Sequence, residues 1–102
     1  MITSTAEISV VLPTYRGDTP DELAQAIESL ADQTVLPQEL YIVKDGPLTT
    51  KLELTINEKT DEFPTTIRTH QIDENQGLGN ALRVGVKNCS YDIVARMDAD
   101  DI

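Results

Sequence analysis

Short apolar runs alternate with amphipathic stretches along the chain. The first run, residues 8–12, is rich in β-branched side chains and is followed by Pro13, so it predicts a strand that is buried on both faces and ends at the proline. Similar runs at 40–43, 66–71 and 91–97 predict three more strands, the third of them the weakest. The pattern therefore contains four strand-like segments.

Helical periodicity fills the gaps between these segments. Thr19, Pro20 and Glu22 form a Thr-x-x-Glu capping box with proline at the first helical position. The apolar face of this first helix is expected to consist of Leu23, Ala26, Ile27 and Leu30. Pro37 is expected in the loop that leaves the helix.

Two further helices are predicted. Leu48, Leu52 and Ile56 recur every four residues, which indicates a helix over about 49–60 that Phe63-Pro64 interrupts. A polar loop, residues 73–80, leads into the third helix. Its apolar face is expected to contain Leu78, Ala81, Leu82, Gly85 and Val86.

The order β-α-β-α-β-α-β predicts an α/β fold: a Rossmann-like three-layer α/β/α domain with a mostly parallel four-stranded sheet and right-handed crossovers. A strand order of 3-2-1-4 would bring the polar loops after all four strands to one edge. Ligands bind in such sheets beyond the carboxyl ends of the strands, where the strand order reverses. We expect residues 1–102 to form a single domain or subdomain.

Composition narrows the function classes. The net charge of −10 argues against non-specific nucleic-acid binding, which needs a basic face, but allows an anionic ligand recruited by a metal or by backbone N–H groups. Cys89 is the only cysteine, so an intrachain disulfide is excluded. With no apolar run near the roughly 20 residues that span a bilayer and no secretory signal in residues 1–7, we expect a cytoplasmic protein, although a membrane anchor in a longer parent is compatible with this sequence.

Acidic residues follow the fourth predicted strand. Asp98, Asp100 and Asp101 stand directly after an apolar run, where neighbouring carboxylates raise one another's pKa unless a cation neutralises them. Mn²⁺ and Mg²⁺ prefer such oxygen ligands and keep positions open for phosphates. Asp98 and Asp100 are therefore the candidate metal ligands, and an acidic turn without a metal is the alternative.

The loops after the first two strands carry candidate nucleotide contacts. Pro13, Thr14, Tyr15 and Arg16 can offer a ring face, a hydroxyl and backbone groups to a planar base. Asp45 can accept a hydrogen bond from the imide N–H of a base, and the glycine after it allows the chain to turn. Packing of the tyrosine and a plain Asp-Gly turn are the alternatives.

The loop before the third helix could approach a phosphate. In the segment from Asn75 to Gly79, Gly77 and Gly79 allow the backbone to come close, and a helix N-terminus favours an anion. A loop that only caps the helix fits equally well. The spacing is not the dinucleotide fingerprint Gly-x-Gly-x-x-Gly.

Other catalytic classes are excluded or unsupported by composition. His70 is the only histidine, so a zinc site with several histidine ligands is excluded. The sequence has neither a Gly-x-Ser-x-Gly elbow nor a Walker motif.

Taken in order, these segments resemble family 2 glycosyltransferases of the GT-A fold, and the resemblance spans nearly the whole chain. The matching segments are residues 9–15 (Ser-Val-Val-Leu-Pro-Thr-Tyr), 30–34 (Leu-Ala-Asp-Gln-Thr), 39–46 (Glu-Leu-Tyr-Ile-Val-Lys-Asp-Gly), 75–81 (Asn-Gln-Gly-Leu-Gly-Asn-Ala) and 98–101 (Asp-Ala-Asp-Asp). Such enzymes move a sugar from a nucleotide diphosphate donor to an acceptor hydroxyl, usually with inversion.

The resemblance implies residue roles. Thr14 and Tyr15 would line the nucleoside pocket with Arg16 nearby, and Asp45 would bind the base, commonly uracil. The loop 75–79 would border the nucleotide site. Asp98 would reach the ribose or a metal-bound water, Asp100 would coordinate Mn²⁺ or Mg²⁺ on the diphosphate, and Asp101 would assist or only shape the turn.

The resemblance also implies what lies elsewhere. In the family, the catalytic base and the site for a saccharide or lipid-linked acceptor follow the Asp-x-Asp pair. We therefore expect residues 1–102 to be a truncated GT-A domain, the nucleotide-sugar-binding half, which is inactive alone and could form a homo-oligomer through its exposed sheet edge. A nucleotidyltransferase is one alternative, although the loop after the first strand lacks the glycines and basic residues for a triphosphate. A non-catalytic nucleotide-binding or interaction module is the other.

Overall fold

A computed structural model describes residues 4–91 and 93–96 of the chain. Across this part, four strands alternate with three helices. The strands are β1 (Ser4–Thr14), β2 (Val35–Asp45), β3 (Thr66–Ile72) and β4 (Ile93–Arg96), and the helices are α1 (Pro20–Ala31), α2 (Thr50–Glu62) and α3 (Leu78–Asn88). The predicted α/β class is confirmed.

The strands form one parallel sheet. Their order is β3-β2-β1-β4 among the described residues, so β1 lies between β2 and β4. β1 and β2 pair from Ser4↔Val35 to Thr14↔Lys44, with an irregularity between Ala6 and Ser9. All strands therefore direct their carboxyl ends to the same edge.

Two prolines lie inside strands, contrary to the prediction. Pro13 does not end the ladder, since it pairs with Val43 and β1 continues to Thr14. Pro37 is not in a loop but in β2, opposite Ala6. β2 pairs with β3 only from Glu39 onward, so Pro37 lies before that ladder, at the kind of position where a missing N–H costs little.

Alternate residues of β1 and β2 supply two separate cores. On one face, the sheet packs against α1 and α2, and the buried residues are Val10, Leu12, Leu23, Ala26, Ile27, Leu30, Leu40, Ile42, Leu52, Ile56 and Phe63. On the other face, it packs against α3, and the buried residues are Val11, Tyr41, Val43, Ile72 and Ala81. This alternation follows from the period of two in a strand, and it gives the predicted three layers.

Helix α3 packs with a narrower apolar face than predicted. Ala81 and Gly85 are buried against the sheet, but Leu78 and Val86 are 47% and 53% exposed. A Cβ on Gly85 would overlap Val11 Cγ1 and lie 3.1 Å from Val43 Cγ2. The helix therefore approaches the sheet most closely at Gly85, which turns Leu78 and Val86 away from it.

Local signals fix the start of α1. The Thr19 hydroxyl accepts from the Glu22 N–H at 3.1 Å, and the Glu22 carboxylate accepts from the Thr19 N–H at 3.4 Å, so the predicted capping box is present. None of the helices in the described part of the chain combines the length and the apolarity needed to cross a bilayer.

Candidate functional site

The candidate site lies at the carboxyl edge of the sheet. Thr14 and Lys44 are paired residues at the ends of β1 and β2, so the loop 15–18 and Asp45 leave the sheet side by side. β3 ends opposite Asp45, at Ile72, and leads into the loop before α3. Three of the four loops predicted to converge do so among the described residues.

Asp45 joins two of these loops. Its carboxylate is buried, with Oδ1 accepting from the Gln76 N–H at 2.8 Å and Oδ2 from the Gly77 N–H at 2.9 Å. The Asn75 side-chain amide also donates to the Asp45 carbonyl at 3.3 Å. The Asp45 carboxylate therefore lies at the N-terminus of α3. The partial positive charge of a helix N-terminus favours a negatively charged group at this position.

Glycines allow this contact. Gly77, the N-cap of α3, has φ +97° and ψ 163°, a region that is essentially restricted to glycine. Gly46 has φ +88°, and a Cβ there would lie 2.8 Å from the Asn75 nitrogen. Glycine is therefore required at both positions for its backbone conformation, and at Gly46 also for the space beside Asn75.

The loop after β1 is held by an aspartate that the sequence analysis did not identify. Asp18 Oδ2 accepts from the Thr14 hydroxyl at 2.8 Å and from the Tyr15 N–H at 3.2 Å. The Tyr15 ring covers Gly17, where any Cβ would overlap it. The signal in the sequence was an aspartate after a glycine at the end of a turn, a residue type that bonds to nearby backbone.

The predicted nucleotide-contacting residues divide by exposure. Tyr15 is 46% exposed, and Arg16 and Asn75 are also exposed. Pro13, Thr14 and Asp45 are buried, and Gly77 is intermediate. The exposed group presents side chains to solvent at this edge. Pro13 and Thr14 lie in the sheet beneath it, and the carboxylate of Asp45, a residue that is 5% exposed, faces the loop before α3.

The predicted metal ligands, Asp98 and Asp100, lie outside the described residues, as does Asp101. β4 pairs in parallel with residues 8–11 of β1, so it runs towards the same edge as the other strands. Among the described residues, no three His, Cys, Asp or Glu side chains come close enough together to hold a metal ion.

A second buried carboxylate was also not identified from the sequence. Glu39, with 3% of its side chain exposed, accepts from the Ser9 and Ser90 hydroxyls and the Ser90 N–H, each at 2.8 Å, and from Arg68 at 2.9 Å. Burial raises the pKa of Glu39, but the Ser90 N–H, Arg68 and the two hydroxyls together outweigh it and hold the pKa below its ordinary value. No sequence pattern signalled this cluster, because Ser90 is 51 residues from Glu39.

Characterised proteins resemble this chain in sequence. Residues 9–102 match the sequence profile of glycosyl transferase family 2. The amylovoran biosynthesis glycosyltransferase AmsE of Erwinia amylovora is 37% identical over 92% of this chain and 35% of its own length. An Escherichia coli UDP-Gal:alpha-D-GlcNAc-diphosphoundecaprenol beta-1,3-galactosyltransferase is 35% identical over the whole chain and 36% of its own length. The chain thus spans about a third of the length of these curated relatives.

Solved structures share the fold. The mannosyltransferase PcManGT from Pyrobaculum calidifontis, in complex with GDP-Man and Mn²⁺, superimposes with a TM-score of 0.77 at 18% identity, over 92% of this chain and 27% of its own. TarS 1-349 of S. aureus in complex with UDP gives a TM-score of 0.71 at 27% identity, over 93% of this chain and 28% of its own. With a profile match that covers most of its residues, the chain belongs to glycosyl transferase family 2.

Proposed function

We propose that this chain supplies the nucleotide-sugar-binding part of a glycosyltransferase that moves a sugar from a UDP-type donor to an acceptor hydroxyl. The observation that carries the proposal is the carboxyl edge of the sheet, where the exposed Tyr15 follows the end of β1 and the carboxylate of Asp45, fixed by the loop before α3, ends the neighbouring strand β2. The names of relatives agree with this, since one uses UDP-Gal and one solved neighbour holds UDP.

Tyr15 is proposed to stack on the base. Its ring is half exposed and rests on Gly17, so one side is supported by the protein. An aromatic face accepts any base, because every base has a π-face. Arg16 follows directly and is exposed, which suits contact with an anionic donor.

Asp45 is proposed to select the base. A carboxylate offers about four lone-pair sites, and two of them are taken by the Gln76 and Gly77 N–H groups. A remaining site can accept the imide N–H of uracil. The two backbone bonds would fix the direction of that acceptor.

Asp98 and Asp100 are proposed to hold Mn²⁺ or Mg²⁺ against the diphosphate. Paired carboxylates suit these hard cations, and the solved mannosyltransferase complex contains Mn²⁺. When bound, such an ion neutralises the charge that develops on the departing diphosphate. The chain's own part would be to supply these two carboxylates, which follow β4 in the sequence.

The acceptor is proposed to be a saccharide or a lipid-linked sugar. One relative acts on a diphosphoundecaprenol-linked sugar by its name. An acceptor of this class presents a hydroxyl in an otherwise hydrated headgroup, which is compatible with a donor site on an exposed sheet edge.

Calorimetric titration of the chain with UDP tests the proposal, once with Mn²⁺ and once with EDTA. We expect Tyr15→Ala to weaken UDP binding roughly 5- to 150-fold, the loss of about 1–3 kcal/mol of stacking, while Tyr15→Phe stays close to the wild type. We expect Asp45→Asn to weaken UDP more than CDP, because only uracil carries the imide proton.

The controls separate binding from folding. Asp61→Asn changes an exposed carboxylate on α2 and is expected to leave the UDP affinity unchanged. If the wild type binds no nucleotide, or if it responds to UTP but not to UDP, the proposal is wrong, and the latter result would favour a nucleotidyltransferase.

A further inference from the structure

We infer that Glu39 is a positioning residue: through Ser90 and Tyr91 it fixes the entry to β4, the strand that precedes the proposed metal ligands Asp98 and Asp100 in the sequence. This inference rests on the proposed function, since it assigns those two aspartates to the donor's diphosphate. Glu39 itself lies six residues before Asp45 on β2, about 20 Å away along the strand, and so would act without touching the donor.

The contacts of Glu39 converge on the connection between α3 and β4. Ser90 gives both its N–H and its hydroxyl to the Glu39 carboxylate. The Tyr91 N–H donates to the Ser9 hydroxyl at 3.2 Å, and that hydroxyl donates in turn to Glu39. Two successive residues ahead of β4 are therefore tied, directly or through one hydroxyl, to a single buried carboxylate.

The carboxylate is saturated by its donors. Four hydrogen bonds reach its two oxygens, and the donors come from three places: Ser9 on β1, Arg68 on β3, and the N–H and hydroxyl of Ser90. Arg68 supplies the balancing positive charge and lies 5.1 Å from the centre of the Tyr41 ring. A buried charge with this many donors is costly to leave unpaired, so Ser90 is held strongly in place.

The position at which the chain enters β4 matters for the register of this strand, because β4 is short. It comprises four residues that pair with residues 8–11 of β1, and short ladders specify register weakly on their own. A slip of one residue would reverse the faces of all side chains, and each residue of slip would shift the strand by about 3.3 Å. Fixing Ser90 and Tyr91 excludes both errors.

A slip of β4 would also affect the proposed metal ligands. Asp98 and Asp100 follow Arg96 by two and four residues in the sequence. Mg²⁺ requires ligand distances near 2.0–2.1 Å, so a shift of one strand residue would abolish coordination. The hydrogen bonds that hold the Asp45 carboxylate come from the loop before α3 and not from β4. Loss of Glu39 should therefore affect metal-dependent binding selectively.

Hydrogen exchange of the full chain tests the first half of the inference. In Glu39→Gln, we expect faster amide exchange in residues 93–96, with little change in β2 and α1. Glu62→Gln, which alters an exposed carboxylate on α2, is the control and should leave exchange in β4 unchanged. If Glu39→Gln does not fold, Ser90→Ala removes only the hydroxyl donor, leaves Glu39 paired with Arg68, and should show a smaller change of the same kind. Unchanged exchange in β4 would overturn the inference.

UDP titration tests the second half. The measured quantity is the gain in UDP affinity on adding Mn²⁺ in place of EDTA. We expect Glu39→Gln to reduce that gain by about tenfold, the lower end of what outer partners of metal ligands contribute, while affinity in EDTA stays near the wild type. Equal loss in both conditions leaves that gain undiminished and would overturn the inference alone. A wild-type chain that binds no UDP would instead overturn the proposed function.

Discussion

Some residues at the site are required for their backbone conformation and not for the chemistry of a side chain. Gly77 adopts φ +97° at the start of α3 and donates its N–H to Asp45. An ideal Cβ at this position would have no neighbour within 4 Å, so a side chain would fit in space. The requirement for glycine is therefore purely one of backbone conformation.

Gly77→Ala is expected to lower the free energy of unfolding by about 1–3 kcal/mol, the cost of forcing a side chain into this region. Urea denaturation measures the change. The matched control is Gly79→Ala, two residues further on, where a Cβ also meets nothing and φ is not positive. Because Gly79 lies inside α3, alanine there should raise the stability by up to about 1 kcal/mol. Equal effects at the two positions would contradict this account.

Glu39 gives a prediction with a definite sign in pH. Its pKa is lower in the folded state than its ordinary value, so the stability it provides is complete above the unfolded pKa and is lost as the pH falls through the folded one. Glu39→Gln should cost about 1.5–3 kcal/mol at neutral pH, where charged hydrogen bonds are lost. The difference from the wild type should shrink as the solution is made more acid.

Denaturation curves at a series of pH values, from neutral to below the ordinary glutamate range, measure that difference. Taking the difference removes the contribution of the other carboxylates that both proteins share. Two stability curves that run parallel through the acid range would show that Glu39 is not ionised in this cluster.

At the scale of elements, the sequence predicted which segments form helices and strands better than it predicted where the strands begin. All three helices lie where the periodicity and caps placed them, because capping boxes and apolar stripes are local signals. β1 and β2 begin several residues earlier than predicted, at Ser4 and Val35, since these polar or proline-bearing segments become strands only by pairing with each other. The Glu39 cluster and the hydrogen bonds of Asp45 also depend on tertiary contacts, because they join residues 30 to 51 positions apart, and local sequence patterns therefore did not predict them.

The close packing of α3 against the sheet depends on Gly85. A Cβ there would overlap Val11 and press on Val43, so Gly85→Ala should lower the free energy of unfolding by about 1–3 kcal/mol despite the better helix propensity of alanine. Val11→Ala alone should also destabilise, because it leaves a cavity. The loss of unfolding free energy in the double variant should be smaller than the two single losses added together, by at least about 0.5 kcal/mol. Strict additivity in urea denaturation would mean that the two residues do not compete for space.

At the scale of the molecule, net charge opposes the proposed ligand. The chain carries −10, and UDP is a polyanion, so a donor meets repulsion unless a cation lies between them. The site must then obtain its affinity from short-range contacts such as stacking on Tyr15. This separates the affinity for the nucleoside from the affinity for the phosphates, and the two should respond differently to salt.

We therefore expect UDP affinity without metal to increase between low salt and about 0.5 M salt, because screening over a Debye length of less than about 10 Å removes long-range repulsion. Uridine, which is neutral, should bind with the same affinity throughout and serves as the matched control ligand. With Mn²⁺ present, the trend should reverse, since salt also screens the attraction of the cation to the acidic chain. Titrations of the three combinations at low and high salt measure these slopes. A UDP affinity that falls with salt in EDTA would mean that a local positive group, for which Arg16 is the exposed candidate beside Tyr15, outweighs the field of the whole molecule.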